Sequence, residues 1–150
     1  GRVPAGAVCT AVATTMDLMP TIAALAGAAV PGNRGIDGHD ITALLRGVPG
    51  ATSPTRAFFY FRHEALCAVR AGRWKLHVPA KNAPARWNIY SKREDVVDID
   101  TPLLFNLADD IGEKNDVAAT HPAVVAELLK RAGKMRRELG PGGAGRRTFD

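Results

Sequence analysis

The chain has 150 residues, of which 46% are hydrophobic and 23% charged, and its formal net charge is +5 at pH 7. This composition is typical of a folded chain about one domain long, and it excludes a wholly disordered or collagen-like protein. No stretch of 18 consecutive apolar residues occurs, so we expect no membrane-spanning helix.

Positive and negative charges are separated along the chain. Nine Lys and Arg residues lie between Arg56 and Arg93 against one acid, and eight acids lie between Glu94 and Asp116 against one Lys. A basic surface of this kind can bind nucleic acid or an anionic substrate. Alternatively, the basic and acidic surfaces are solvated and pair with each other, which is the usual role of charge runs.

The first part of the chain predicts a helix after an irregular start. The opening GRVPAG is a loop without an initiator Met, so we expect the chain to be part of a longer protein. Residues 8–13 form either a strand or an extended lead-in. A helix then begins at Asp17, whose carboxylate caps the first turn, and ends at Gly27. It should pack through one apolar face, formed by Met19, Ile22, Ala23 and Ala26.

A second, shorter helix precedes a change of composition. Asp40 caps a helix over 41–46, and Gly47 closes it. Residues 48–55 are rich in Pro, Gly, Ser and Thr, which indicates a boundary between two domains. We therefore divide the chain into residues 1–55 and a second part that begins at residue 56.

The second part predicts a sheet. Three short runs joined by tight turns, the aromatic run 57–62, 66–70 and the alternating run 73–78, predict an antiparallel meander, and 103–107 predicts a fourth strand. In the third run the apolar side chains face one way and the basic ones, Arg73, Lys75 and His77, face the other. Residues 79–101 predict a long polar loop, a kind of segment that is often functional.

The last predicted element is a helix that Thr120 caps, with His121 and Pro122 in its first turn. Its apolar stripe, centred on Leu128, should lie across one face of the sheet. The expected fold is α+β, with a small antiparallel four-stranded sheet packed on a long C-terminal helix over 56–138, and a flexible tail over 139–150. The predicted core residues between sheet and helix are Phe59, Trp74, Leu104 and Leu128.

No complete catalytic motif occurs in the chain: there is no GxSxG, P-loop or HExxH pattern. Cys9 and Cys67 have no partners at zinc-binding spacing, and we expect two buried free thiols, with a disulfide as the alternative. The stretch DDIGEKND at 109–116 superficially resembles a calcium loop, but its ligand positions do not fit. We interpret it as a solvated acidic turn, so the sequence predicts no catalytic and no metal-binding residue. His39 and His121, each next to the start of a predicted helix, are interpreted as structural.

Two groups of side chains are candidates for substrate binding. Lys75 and His77, with Arg73 on the same side of their strand, could hold an anion through charge-assisted hydrogen bonds. Arg62 ends the first strand of the sheet and His63 follows it, at a strand end where loops commonly contact ligands. The alternatives are an exposed strand face for the first group and, for the second, a surface ion pair between Arg62 and the neighbouring glutamate.

Five sequence blocks in order resemble the C-terminal third of sulfatases of the arylsulfatase type, in the alkaline-phosphatase-like superfamily. They are TTMDLMPTIAALAG, IDGHDITALLRG, RAFFYFR, AVRAGRWKLH and PLLFNLADDIGEKNDVA, and they span most of residues 1–138. The resemblance implies that residues 1–55 hold the last helices of a large α/β sulfatase domain, which carries the active site in this family. Residues 56–138 would be the smaller C-terminal sheet-plus-helix subdomain.

The resemblance also implies the chemistry of the parent enzyme, a sulfuric ester hydrolase. Its nucleophile is a formylglycine made within a C/S-x-P-x-R motif, beside a bound calcium ion. Neither Cys9 nor Cys67 lies in such a motif, so no catalytic residue is carried over. We expect calcium and formylglycine in the parent enzyme, neither of them bound by this fragment, and no activity from the fragment alone.

The resemblance implies that this fragment contributes structure and part of the rim of the active site that contacts the substrate. The substrate would be a sulfated small molecule or glycan contacted by Arg62, His63, Lys75 and His77, with residues 79–101 also on the rim. The expected partner is the remainder of the sulfatase chain, with no nucleic acid and no membrane, in an exported, periplasmic or lysosomal compartment. The alternative is a non-enzymatic basic sheet-plus-helix module that binds anions or nucleic acid, although the chain lacks the stacking aromatics of RNA-binding sheets.

Overall fold

A computed structural model describes residues 2–33, 35–62, 65–84 and 96–140, with the backbone alone at 81–84 and 96–97. The chain divides into two compact units, Gly1–Arg56 and Ala57–Asp150. Within the described residues, no helix is both long and apolar enough to cross a lipid bilayer.

The first unit contains the two predicted helices. A single 3-10 turn, Thr15–Asp17, leads into α1, Leu18–Leu25, and α2 follows at Thr42–Leu45. Both helices end as expected, because the glycine that follows each one, Gly27 or Gly47, adopts a left-handed φ of about 60–70° that favours glycine. Residues 8–13 form no strand.

The carboxylate of Asp17 does not cap α1, which corrects the prediction. It reaches back to the backbone N–H of Thr14, at 2.7 Å, and across the unit to the backbone N–H of His39, at 2.8 Å. Thr21 adds a second connection, since its hydroxyl donates to the carbonyl of Asp17 and accepts from the N–H of Ile41. Asp17 is 1% exposed, and these bonds replace the water that its burial removes.

The predicted packing face of α1 is not buried within this unit. Met19 is 48% and Ile22 63% exposed, whereas Pro20 and Thr21 are buried. The reason is that the first unit has little apolar interior: among its described residues, Ile41 is the only buried hydrophobic one. Nine of the ten exposed large hydrophobic side chains of the described chain lie in this unit: Val3, Val8, Met16, Leu18, Met19, Ile22, Leu25, Leu45 and Val48.

The second unit contains the predicted four-stranded antiparallel sheet. Its strands are β1 (Phe58–Arg62), β2 (Ala65–Ala71), β3 (Trp74–His77) and β6 (Leu103–Asn106), in the order β1-β2-β3-β6. Between β3 and β6, the chain forms a separate two-stranded sheet from β4 (Ala80–Pro84) and β5 (Val96–Ile99). The prediction of a loop throughout 79–101 is therefore wrong, since the β-branched run VVDI was read as part of a polar segment.

The core of the second unit lies between the sheet and α3, Pro122–Leu139. Val69, Leu76 and Leu104 pair across three adjacent strands, and each is fully buried. Leu128 and Ala132 of α3 pack against them. Of the predicted core, Leu104 and Leu128 are confirmed as buried, while Phe59 and Trp74 are partly buried against the cluster.

Two smaller predictions need correction. His121, not Thr120, occupies the N-cap position of α3, after a short 3-10 turn over 118–120. Cys9 and Cys67 are free thiols as expected, but Cys9 is exposed and Cys67 only half-buried. Cys67 is the extra residue of a β-bulge, because Phe61 pairs with Leu66 and the preceding Tyr60 with Ala68. The tail beyond residue 140 lies outside the described residues.

Candidate functional site

Lys75 and His77 lie on the face of the sheet that is opposite the core. Leu76 and Val78, which alternate with them, are buried beneath α3, so the predicted division of this strand into two faces is confirmed. This face carries the candidate site.

A glutamate from a distant turn bridges Lys75 and His77. Oε1 of Glu113 is 2.5 Å from Nζ of Lys75, and Oε2 is 2.5 Å from Nε2 of His77. Because an ionised carboxylate can only accept, the imidazole donates this hydrogen bond. The three side chains are 16–26% exposed, so the cluster is largely removed from water.

An aromatic ring lies beside each of these two side chains. Nζ of Lys75 lies 4.8 Å from the ring centroid of Tyr60, within the range of a cation–π interaction. The ring of His77 meets that of Phe105 edge-on, with centroids 5.6 Å apart. The rings restrict the movement of the Lys75 and His77 side chains. Both side chains contact the same anion, the carboxylate of Glu113.

The ionisation of Glu113 reflects this environment. Burial alone would raise the pKa of its carboxyl, but the hydrogen bonds from His77 and Lys75, together with their charges, outweigh burial and lower the pKa to about 2. The carboxylate is therefore ionised at every physiological pH, and it neutralises the positive charge that the sequence predicted for this face.

The rest of the acidic segment is a hydrogen-bonded turn. One carboxylate oxygen of Asp110 accepts the backbone N–H groups of Lys114 and Asn115, at 2.7 and 2.8 Å. Asp116 accepts the N–H of Leu104, the second residue of β6, at 2.9 Å. These carboxylates satisfy backbone donors and fix the turn beside the sheet.

A second basic residue also faces the acidic segment. Nε of Arg73 donates to the side-chain oxygen of Asn106 at 3.0 Å, and its Nη2 lies 3.4 Å from Asp109. The alternative that the sequence left open, pairing of basic with acidic surfaces, therefore occurs. Arg73 pairs with Asp109, and Lys75 pairs with Glu113.

The remaining candidate residues lie elsewhere. Arg62 is the last residue of β1 and pairs in register with Ala65. His63, Glu64 and residues 85–95 of the predicted rim lie outside the described residues. That Arg62 and His63 contact substrate stays a prediction.

Glu113 is the residue that the sequence analysis missed. It lies 36 residues after His77, within a stretch interpreted as a solvated turn, so no local spacing connects the two. The available signal was the matching of a basic strand with an acidic segment of opposite sign. That signal predicts pairing of surfaces but not which carboxylate pairs with which cation.

The described residues do not fit the calcium site that the resemblance implies for the parent. Within them, no three His, Cys, Asp or Glu side chains are grouped so as to hold a metal ion. The acidic turn illustrates this, because its carboxylates are directed at backbone N–H groups and cations. We therefore derive no chemical step from this chain through a metal or a formylglycine.

Comparison with known proteins identifies the family. Residues 53–147 match the family model described as the C-terminal region of aryl-sulfatase. Rat (Rattus norvegicus) arylsulfatase G is 33% identical over 145 residues, covering 93% of this chain and 26% of the relative. Mouse (Mus musculus) steryl-sulfatase is 37% identical over 143 residues, covering 84% of this chain and 23% of the relative.

Solved structures agree with this match. The PsFucS1 sulfatase from Pseudoalteromonas sp. has a TM-score of 0.61 at 26% identity, covering 79% of this chain and 24% of that one. A Bacteroides thetaiotaomicron protein, described with the metabolism of multiple glycosaminoglycans, has a TM-score of 0.59 at 29% identity, covering 80% of this chain and 24% of that one.

The chain belongs to the sulfatase family, and its second unit is a sulfatase C-terminal region of the arylsulfatase type. It spans about a quarter of the length of the two curated relatives. The predicted α+β fold class is confirmed by the four-stranded sheet and its helix together with these structural neighbours.

Proposed function

We propose that this chain is the C-terminal part of an enzyme that hydrolyses sulfate esters, to which it contributes structure and part of the substrate rim. The observation that carries this proposal is the match of residues 53–147 to the aryl-sulfatase C-terminal region. Calcium and a formylglycine would belong to the parent enzyme, on residues outside this chain. The family also supports an exported, periplasmic or lysosomal location for the parent.

The partner that we propose for the first unit is the remainder of the sulfatase chain. A patch of exposed large apolar side chains is unusual on a free protein surface and marks a surface that another one covers. In this unit Leu18, Met19, Ile22 and Leu25 of α1 are all about half exposed or more. The relatives are about four times as long as this chain, and the additional chain in such a protein would supply the missing cover.

The proposed substrate is a sulfated small molecule or glycan. A 27%-identical structural neighbour, Ps i-CgsB, is known in complex with the oligosaccharide k-i-k-neocarrahexaose, which supports a glycan. We place direct contact with the substrate first at Arg62 and His63. Lys75 and His77 stay predicted contacts, but a substrate anion would have to compete there with the carboxylate of Glu113.

The competing proposal, a basic module that binds nucleic acid, gains no support. A nucleic-acid surface needs cations that are free to neutralise phosphates. Arg73 and Lys75, which were expected to contribute to such a surface, contact Asp109 and Glu113.

The test is an assay with a chromogenic aryl sulfate in the presence of calcium. We expect no turnover from this chain alone, and turnover when it is produced as one polypeptide with the sequence encoded upstream of Gly1. The matched control is the same longer protein with the Cys or Ser of its C/S-x-P-x-R motif replaced by Ala. Turnover by the repurified short chain, or an upstream sequence that lacks any such motif, would contradict the proposal.

A further inference from the structure

We propose that the carboxylate of Glu113 is the built-in occupant of an anion site formed by Lys75 and His77. In this arrangement Lys75 and His77 hold the acidic turn onto the sheet, and a sulfate group can bind them only if Glu113 leaves. The inference concerns this chain by itself, and its test requires no enzymatic activity.

The geometry of the cluster is that of a bound anion. Each carboxylate oxygen of Glu113 lies 2.5 Å from a different nitrogen, Nζ of Lys75 or Nε2 of His77, and hydrogen bonds to an ionised carboxylate are of the strong, charge-assisted kind. Tyr60 and Phe105 lie beside the two nitrogen-bearing side chains. A sulfate oxygen pair could use the same two donors, but only in the place that the carboxylate now fills.

The backbone of Glu113 indicates that the side chain is what this position requires. Its φ is +52°, and it is the only non-glycine residue with positive φ among the described residues. This left-handed conformation favours glycine and costs free energy for other residues. Glycine would fit this backbone conformation at lower cost, so the conformation of the turn does not account for a glutamate here.

The surroundings favour the internal carboxylate over a free anion. Asp109 contacts Arg73, the next cation along the sheet, so the neighbouring positive charge is already balanced. Glu113 is also part of the same chain and acts at a high effective concentration, as any tethered ligand does. A free sulfate must displace it and then lie close to the remaining carboxylates of the turn.

The experiment compares Glu113→Gly and Glu113→Gln with the unchanged chain, and uses inorganic sulfate as the probe. Amide hydrogen exchange of Val69 and Leu76 reports opening of the core, and that of Lys114 and Asn115 reports opening of the turn. Sulfate is titrated against chloride at equal ionic strength, because sulfate also stabilises proteins without binding a site.

Two further variants serve as controls. Glu127→Gln removes a surface carboxylate, which pairs only with the following turn of α3 through Arg131 at 2.9 Å, and should leave both exchange rates nearly unchanged. Lys75→Met combined with Glu113→Gly removes one wall of the proposed site together with its occupant. That double variant gives the effect of sulfate on a protein without the site.

We expect both single variants to raise turn exchange about tenfold or more, as for the loss of a hydrogen bond to a charged group. Sulfate should slow exchange in a saturable manner in Glu113→Gly, more than in the unchanged chain or in the double variant. The proposal is overturned if Glu113→Gly exchanges no faster than the unchanged chain, since the residue would then serve only the turn. It is equally overturned if sulfate acts alike on all three, or if it saturates a site at Lys75 and His77 in the unchanged chain.

Discussion

Replacement of Leu128 by Ala tests whether α3 is docked on the sheet as described. Leu128 is 2% exposed and packs in the same cluster as Val69, Leu76 and Leu104, each of which is fully buried. The change removes three buried carbon atoms, which costs about 2 kcal/mol at ~0.8 kcal/mol for each. A rigid cluster of fully buried neighbours cannot collapse completely into the space, so the cavity raises the loss to about 3–4 kcal/mol.

The assay is urea unfolding followed by circular dichroism and tryptophan fluorescence. With a slope of about 1–1.5 kcal/mol per M for a unit of this size, the midpoint should fall by about 2 M or more. The matched control is Ile111→Ala, because Ile111 is 79% exposed in the same unit and its truncation should cost less than about 0.5 kcal/mol. A loss below about 0.5 kcal/mol for Leu128→Ala would refute the docking of α3, because a buried leucine cannot be removed so cheaply.

Three further predictions concern single positions. Gly38→Ala should strongly destabilise the first unit in thermal unfolding, because the added Cβ would clash with the carbonyl oxygen of Met16. Gly32→Ala is the control: the space around Gly32 is open, so this change should have little effect. Asp17→Asn should cost about 1–3 kcal/mol in denaturant titration, since an amide NH2 would face a backbone donor; equal stability of the two proteins would contradict this role. The pKa of Glu113 is lowered from 4.5 to about 2, so its contribution to stability should be complete above pH 4.5 and disappear as the pH falls toward 2. Glu113→Gln should flatten that part of the curve of unfolding free energy against pH. A curve that the variant leaves unchanged would exclude the cluster as the source of this pH dependence.

Elements with a strong local pattern could be predicted from the sequence. The alternation around Leu76 and the stripe through Leu128 each define a face, and the structure buries both. The bulge at Cys67 could not be predicted, because it depends on the register of β1 against β2. Strands β4 and β5 were missed for a related reason: each is short and stable only through pairing with the other.

The candidate site shows the same limit at longer range. Lys75 and His77 were correctly placed together on one face, since two residues apart on a strand means the same side. The net charge of this face could not be predicted, because it depends on Glu113, which lies 36 residues after His77 in the sequence. An anion-binding surface inferred from basic residues alone therefore needs a search for internal carboxylates before it is assigned to a ligand.

Helix α1 shows how the sequence can nevertheless report a surface that the chain itself does not cover. The segment LMPTIAAL has one polar side chain, Thr21, and a helix that is apolar on all sides belongs in the interior of a large protein. In this unit the polar residue of α1 is buried and the large apolar ones are exposed. Thr21 is 2% exposed and hydrogen-bonded, and contact with solvent is made by Leu18, Met19, Ile22 and Leu25. Water contact with so much apolar surface is unfavourable by about 25 cal/mol for each Å². The composition of α1 and its exposure are thus two independent observations in support of the proposal made above, that the remainder of a sulfatase chain covers this helix.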